Sequence, residues 1–169
     1  PVTIGITPCT DIIKTFKIFQ PLSHYLEKEI NRSVKLVIPK DYYQFEKLIK
    51  NHELDFAYQA PHTYVRLAPF YNQHKLLKAL TPEGEPEHRG VLVVRTDSPI
   101  KSVAELKGKT VMFGSVLSTA KSMATKALLQ ENHIAFDKDL ARYIYSGSCE
   151  SIALNIYLKS VDAGALCDY

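Results

Sequence analysis

The sequence predicts an α/β protein of two α/β lobes, and three observations carry that expectation. Short apolar runs alternate with helix-spaced segments from end to end. The composition, 46% hydrophobic and 23% charged over 169 residues, suits a globular chain with a sizeable core and one or two compact units. The run Thr81-Pro82-Glu83-Gly84-Glu85-Pro86-Glu87-His88, with two prolines, a glycine and three acids, breaks the alternation and reads as a linker between lobes.

The elements follow in order. The first strand covers residues 2–6, and the loop Thr7-Pro8-Cys9-Thr10-Asp11 leads to a helix near 15–30. Phe16, Phe19, Leu22, Leu26 and Ile30 recur there at helical spacing and are expected to face a core. Val34–Ile38 is a second strand. Asp41 caps a helix through residue 50, and 54–58 is a third strand. Pro61 opens a helix over 62–69 as a first-turn proline, and Lys75 to Leu80 reads as a fourth strand. Beyond the linker, Val91–Val94 is a strand, and Ser102-Val103-Ala104-Glu105 is a capping box that Gly108 terminates. Strands at 109–113, 142–145 and 163–166 enclose helices at 119–131 and 150–159. No sequence repeat is visible, although the two halves share an element order. Strands alternating with helices in this way are mostly parallel, and ligands bind beyond their carboxyl ends. That directs attention to the loops 7–11, 39–42, 58–61, 114–119 and 146–150.

Composition removes several classes of function. The net charge of +3 comes from 21 Lys+Arg against 18 Asp+Glu, and the lysines are scattered, so no nucleic-acid partner is expected. No run approaches the ~20 apolar residues of a membrane helix. The chain opens directly on a strand without a signal peptide, which reads as a processed or trimmed start. The three cysteines, Cys9, Cys149 and Cys167, form no CxxC and no zinc spacing, and a disulfide between two of them stays open. No metal or cofactor is implied.

The sharpest local signal is Phe113-Gly114-Ser115-Val116-Leu117-Ser118-Thr119-Ala120. A strand ends, small residues follow, and two hydroxyls stand at a helix start. Unpartnered first-turn N–H groups carry partial positive charge, and neighbouring hydroxyls complete an oxyanion cradle. The plainer alternative is that Ser118 or Thr119 only caps the helix. The spacing is not that of a P-loop. Pro39-Lys40-Asp41-Tyr42-Tyr43 places tyrosines after a strand, either reaching a cleft or packing on the surface. Tyr58 and Gln59 end the third strand. Tyr145-Ser146-Gly147-Ser148-Cys149-Glu150 repeats the strand–loop–helix pattern, with Cys149 at a helix start that lowers a thiol pKa in principle. Neither a GxSxG serine nor a carboxylate pair set out for acid–base chemistry is present.

Together these segments resemble the phosphate/phosphite/phosphonate-binding proteins of ABC transporters, the PhnD-like family. The matching runs are Asp55-Phe56-Ala57-Tyr58-Gln59-Ala60-Pro61, Arg89–Arg95 with Asp97-Ser98-Pro99-Ile100, and Leu106–Gly114. Ser118-Thr119, then Glu150 with Ala153-Leu154, and Val161–Ala165 complete the set. The resemblance covers nearly the whole chain in one order. It implies a type II periplasmic-binding-protein fold: lobe I over 1–84, a hinge at 85–91, lobe II over 92–165, and a second hinge crossing from 166–169. The first lobe would then lack its C-terminal return segment. It also implies that Ser118 and Thr119, with Ala120, hold phosphorus-bound oxygens and that Tyr42 donates to the same group. His88 stands where many members have a contacting tyrosine, and Cys149 where some have a histidine. Asp168 or Tyr169 falls where the substituent on phosphorus is read. Where the family often has Ser-Thr-Ser-Gly, this chain has Ser118-Thr119-Ala120-Lys121 and loses one hydroxyl. The function implied is non-enzymatic: a periplasmic or extracytoplasmic protein, soluble or membrane-anchored, that closes over a small phosphorus-containing anion and presents it to an ABC permease. Tyr58 and Gln59 are candidate further contacts from lobe I. The alternative is a ligand-sensing domain of a membrane histidine kinase or cyclase with the same fold. A third reading is an enzyme that uses Cys149.

Overall fold

The structure, a computed structural model, describes residues 1–8, 11–72, 74–81 and 83–167. Cys9, Asp168 and Tyr169 therefore lie outside the described residues, as do the linker's Pro82, Thr10 and Gln73. The chain divides into two compact units, residues 1–76 and 77–169.

In the first unit β1 (Val2–Ile6), α1 (Ile12–Ile30), β2 (Val34–Val37), α2 (Tyr42–Lys50), β3 (Phe56–Tyr58) and α3 (Pro61–Leu67) follow in order. The sheet order is β2-β1-β3, all parallel. Phe45, Ile49 and Leu67 form its buried cluster, with Leu54, Ala57 and Tyr71 packed against it. In the second unit β4 (Gly90–Val94) comes first, then a 3-10 turn at Val103–Leu106 and β5 (Thr110–Phe113). A π turn, Thr119–Ala124, runs on as α4 (Thr125–Glu131). Then come β6 (Arg142–Tyr145), α5 (Cys149–Tyr157) and β7 (Ala163–Cys167). Its sheet order is β4-β7-β5-β6, with β4 antiparallel to β7 and the others parallel. Successive residues of a strand point to opposite faces. Accordingly Val111 and Phe113 join Leu129, Ile134, Ala163 and Ala165 on one side, while Met112 meets Ile152, Ile156 and Val161 on the other.

The two units carry a structural repeat. Thr3 pairs with Lys35 in β1–β2, and Thr110 pairs with Arg142 in β5–β6. Ile4 pairs with Phe56, and Val111 with Ala163. Every one of these positions is related by the same shift, 110 − 3 = 107. The helix caps keep that register: Asp11 and Ser118 cap the first helices, and Asp41 and Ser148 the second. So do two left-handed residues after the second helices, His52 at φ 55° and Lys159 at φ 62°. The approach to β3 is locked to β1, and the approach to β7 to β5, in the same way. The Thr3 amide donates to the Asp55 carboxylate at 2.7 Å, and the Thr110 amide to that of Asp162 at 2.8 Å. What repeats is backbone geometry and polar anchors, with core side chains free to differ.

Two expectations are corrected. Lys75–Leu80 is not a strand: Leu76, Leu77 and Leu80 are exposed, and the segment leads into a turn closed by Gly84 N–H on the Thr81 carbonyl. An apolar run forms a strand only where a neighbour satisfies its backbone groups. On α1, Phe19 and Leu26 are half-buried as expected, but Phe16, Leu22 and Ile30 are each more than 40% exposed. The buried stripe is Thr15, Phe19, Ser23 and Leu26. Small hydroxylated residues let the helix lie close against β2, and Ser23 Oγ satisfies itself on the Gln20 carbonyl at 2.8 Å. The shorter helices 119–131 and 149–157 fall where the spacing placed them, within a residue or two at their ends.

Candidate functional site

In the second unit β5, β6 and β7 run parallel, so the residues after them gather at one end of the sheet. Antiparallel β4 brings its own beginning, His88-Arg89-Gly90, to that same end. Gly90 is required there: a Cβ would run into the carbonyl oxygen of Ala120. The loops after β5 and β6 are tied by Ser146 N–H donating to the Phe113 carbonyl at 2.8 Å. Four of the expected residues, Ser118, Thr119, Ala120 and Cys149, thus stand with exposed His88 at one end of one sheet.

The start of the 119–131 helix is not an ordinary α-turn. Gly114 N–H donates to the Lys121 carbonyl at 2.9 Å, and the Thr125 hydroxyl to the Ala120 carbonyl at 3.2 Å. Both carbonyls accept from groups outside the α-ladder, and Met123 N–H closes on Ser118 five residues back at 3.1 Å. A turn closed over five residues leaves one more N–H at its start than an α-turn does, and π turns are frequent at functional sites. Ser118 Oγ accepts from Lys121 N–H at 3.2 Å, so the capping expectation holds. That acceptance leaves the hydroxyl hydrogen of Ser118 to donate elsewhere. Inside the same turn Ser122 Oγ is fully buried with no hydrogen-bond partner among the described residues. Sequence reasoning missed Ser122, and its position four residues after Ser118, on the same helix face, was the available signal. The second helix start is built alike, with Ser148 Oγ accepting from Ser151 N–H at 3.1 Å. Cys149 follows as a half-buried free thiol.

In the first unit all three strands are parallel, and their ends gather Thr7, Tyr42, Tyr58 and Gln59. Tyr42 opens α2 and is half-buried. The Tyr58 ring meets Phe19 edge-on, 4.9 Å between centroids. Gln59 Oε1 accepts from the Tyr71 hydroxyl at 2.7 Å, which leaves its amide N–H groups to donate. Burial pushes the Tyr71 hydroxyl up to about 12, so it stays a donor across the physiological range. Thr7, missed by sequence reasoning, is buried with its hydroxyl unpartnered among the described residues.

The repeat makes the electrostatic difference between units explicit. In the first unit the carboxylate of Asp11 accepts from Ile13 and Lys14 N–H, and that of Asp41 from Gln44 N–H. A full negative charge therefore sits on each helix start. At the equivalent positions of the second unit the caps are the neutral hydroxyls of Ser118 and Ser148. The Ser118 start has no acid in its first turn and keeps its positive potential, while the Ser148 start carries Glu150 in its first turn. Donors without a fixed countercharge suit an anion and offer nothing to a cation. Among the described residues no three His, Cys, Asp or Glu side chains gather as a metal site, and no helix is long and apolar enough to cross a membrane.

A family model described as "ABC transporter, phosphonate, periplasmic substrate-binding protein" matches residues 4–169. Among solved structures, a binding protein component of an ABC phosphonate transporter from Pseudomonas aeruginosa is 19% identical, with a TM-score of 0.79. The match covers 98% of this chain and 56% of that one. PhnD1 from Prochlorococcus marinus, solved with methylphosphonate, is 20% identical, with a TM-score of 0.80 over 98% of this chain and 62% of its own. A Xanthomonas citri protein solved with ATP is 22% identical, with a TM-score of 0.78 over 99% and 64%. This chain thus spans less than two thirds of the length of each. At such identities the structures speak for the fold, while the family model reaches from the first strand to the last residue: the chain belongs to the phosphonate-type periplasmic substrate-binding proteins of ABC transporters, a family of binding proteins and not of enzymes.

Proposed function

We propose that this chain is the ligand-binding part of a protein that captures a phosphorus oxyanion, a phosphonate, phosphite or phosphate, for uptake by an ABC transporter. The observation that carries the reading is the contrast at equivalent helix starts: Asp11 and Asp41 in one unit, Ser118 and Ser148 in the other. An anion docks on the Ser118–Ala120 turn, where N–H and O–H donors meet a charged acceptor in short, strong hydrogen bonds. His88 and Cys149 border the same end of the sheet. Tyr42, Tyr58 and Gln59 supply donors from the first unit when the lobes close, with 85–91 and 166–169 as hinge crossings. Tyr169, outside the described residues, is assigned to the substituent on phosphorus. The closed form is what the permease reads.

The finer fold assignment belongs to the same proposal. In the second unit β4 covers the outer edge of β7. Among the described residues β3, the equivalent strand, pairs with β1 alone, and Phe56 on it is 62% exposed. A pocket of about 220 Å³ opens beside that edge, lined by Phe56, Ala57, Phe70 and Tyr71 among others. An antiparallel strand there completes the lobe as β4 does in the repeat.

The test is a thermal-shift screen of the full-length protein with phosphite, phosphate, methylphosphonate and 2-aminoethylphosphonate. A ligand at 100 times its dissociation constant adds about 2.7 kcal/mol of stability. Replacing Ser118 and Thr119 together by Ala is expected to remove most of that shift. A double variant that responds as the wild type does would show that the anion sits elsewhere.

A further inference from the structure

Lys121 is the third cap-turn residue of this same helix start, and its side chain is built into both strand-end loops. Its stem occupies the space a side chain at Gly114 would need: a Cβ there would come within 2.9 Å of the Lys121 Cε and collide with its Cβ. From that position Nζ donates to the Gly147 carbonyl at 3.4 Å, at the outer limit of a hydrogen bond. Other cations of this unit have charged or aromatic partners, Lys159 reaching Asp97 at 3.8 Å and three more closely. Arg95 holds Asp97 at 2.7 Å, Lys107 holds Asp139 at 3.1 Å, and Lys126 donates to the Tyr145 hydroxyl at 2.6 Å. Among the described residues no carboxylate lies within ion-pair distance of Lys121. A half-buried side chain therefore carries its ammonium between the starts of two serine-capped helices, with one long, solvent-exposed bond to a neutral carbonyl. Glu150, in the first turn of the second helix, is not paired with it, so Lys121 lacks a carboxylate partner of its own among the described residues, and an anion on the turn supplies one.

We infer that Lys121 reads the charge of the bound group, favouring a doubly charged tetrahedral oxyanion (a phosphonate or phosphate monoester) over a singly charged one of the same shape, such as a sulfonate. The inference rests on the oxyanion reading of the Ser118–Ala120 turn and adds a specificity to it. The partial charges of that turn's neutral donors gain less from a second negative charge on the guest than a full ammonium does, since Coulomb energy scales with both charges. Freed from Gly147, the flexible stem has the rotamers to turn its head to the guest.

Calorimetric titration of the full-length protein with methylphosphonate and with methanesulfonate separates the two claims, at a pH above the second ionisation of the phosphonate. Lys121→Met and Lys121→Gln keep a stem over Gly114 and remove the charge. Both variants, with the wild-type melting temperature as the check on folding, are expected to lose about tenfold or more in methylphosphonate affinity. Methanesulfonate binding should change by no more than about threefold, so the preference between the two anions collapses. An unchanged ratio of the two affinities overturns the role of Lys121 and leaves the turn standing. Wild-type binding preserved in the Ser118→Ala/Thr119→Ala variant overturns the turn itself, and the inference with it.

Discussion

Gly90 packs against the Ala120 backbone with no room for a side chain. Because any Cβ there meets the Ala120 carbonyl, Gly90→Ala must shift either β4 or the π turn. It is expected to cost about 1–3 kcal/mol in urea unfolding and to weaken ligand binding as well, since the displaced residue belongs to the proposed cradle. Asp55 shows a residue whose effect is set by pH. Hydrogen bonds from the Thr3 amide and hydroxyl hold its carboxyl below the usual carboxylate range. A lowered folded pKa contributes stability that is present above the unfolded value of about 3.9 and is lost as pH falls through the folded one. Asp55→Asn should therefore lower the urea midpoint at neutral pH and flatten its decline between about pH 5 and 2. An equally steep acid limb in the variant would show that Asp55 takes no part in it. The sequence displays such residues but not their partners: Asp55 and Thr3 are 52 positions apart, and nothing local joins them.

Elements were legible where the signal was local. Strand 142–145, the Asp41 cap and the Ser102–Glu105 capping box follow from neighbouring residues alone, and Glu105 does accept from Ser102 N–H at 3.0 Å. The π turn was not legible, because it depends on Gly114 donating across a loop to Lys121. The inner face of α1 was misjudged because apolar spacing names the greasy residues, not the ones that fit closely against a sheet. α4 shows a contact of another kind. Lys126 lies 4.2 Å from the Phe136 ring centroid and 4.9 Å from that of Tyr145, and donates to the Tyr145 hydroxyl. This pins the helix to the end of β6, directly before the Ser146–Ser148 loop. Lys126→Met keeps the apolar contact and removes the charge, and is expected to cost about 1–2 kcal/mol by chemical denaturation. A loss below about 0.5 kcal/mol, the range of an ordinary surface change, would contradict that role.

Across the whole chain, the repeat sets serine caps in one half against aspartate caps in the other, the contrast on which the proposed anion site rests. The shared shift of 107 residues was hidden from sequence reading because it preserves strand register and cap positions while side chains diverged. If the first lobe is completed as proposed, an antiparallel strand lies beside β3 as β4 does beside β7. In the full-length protein Phe56→Asp should then destabilise by more than about 1 kcal/mol, whereas an exposed edge would tolerate it within about 0.5. The division of labour between the caps is tested most directly by giving the second unit the cap of the first. Aspartate caps helices as well as serine does, so Ser118→Asp should melt within a few degrees of the wild type. Its carboxylate, however, neutralises the helix start and repels a guest of like charge. Thermal shift of this variant with methylphosphonate, phosphite and phosphate should fall to the buffer baseline for every anion that shifts the wild type. A well-folded Ser118→Asp protein that still responds fully to the same anion would contradict the claim that this helix start is where it binds.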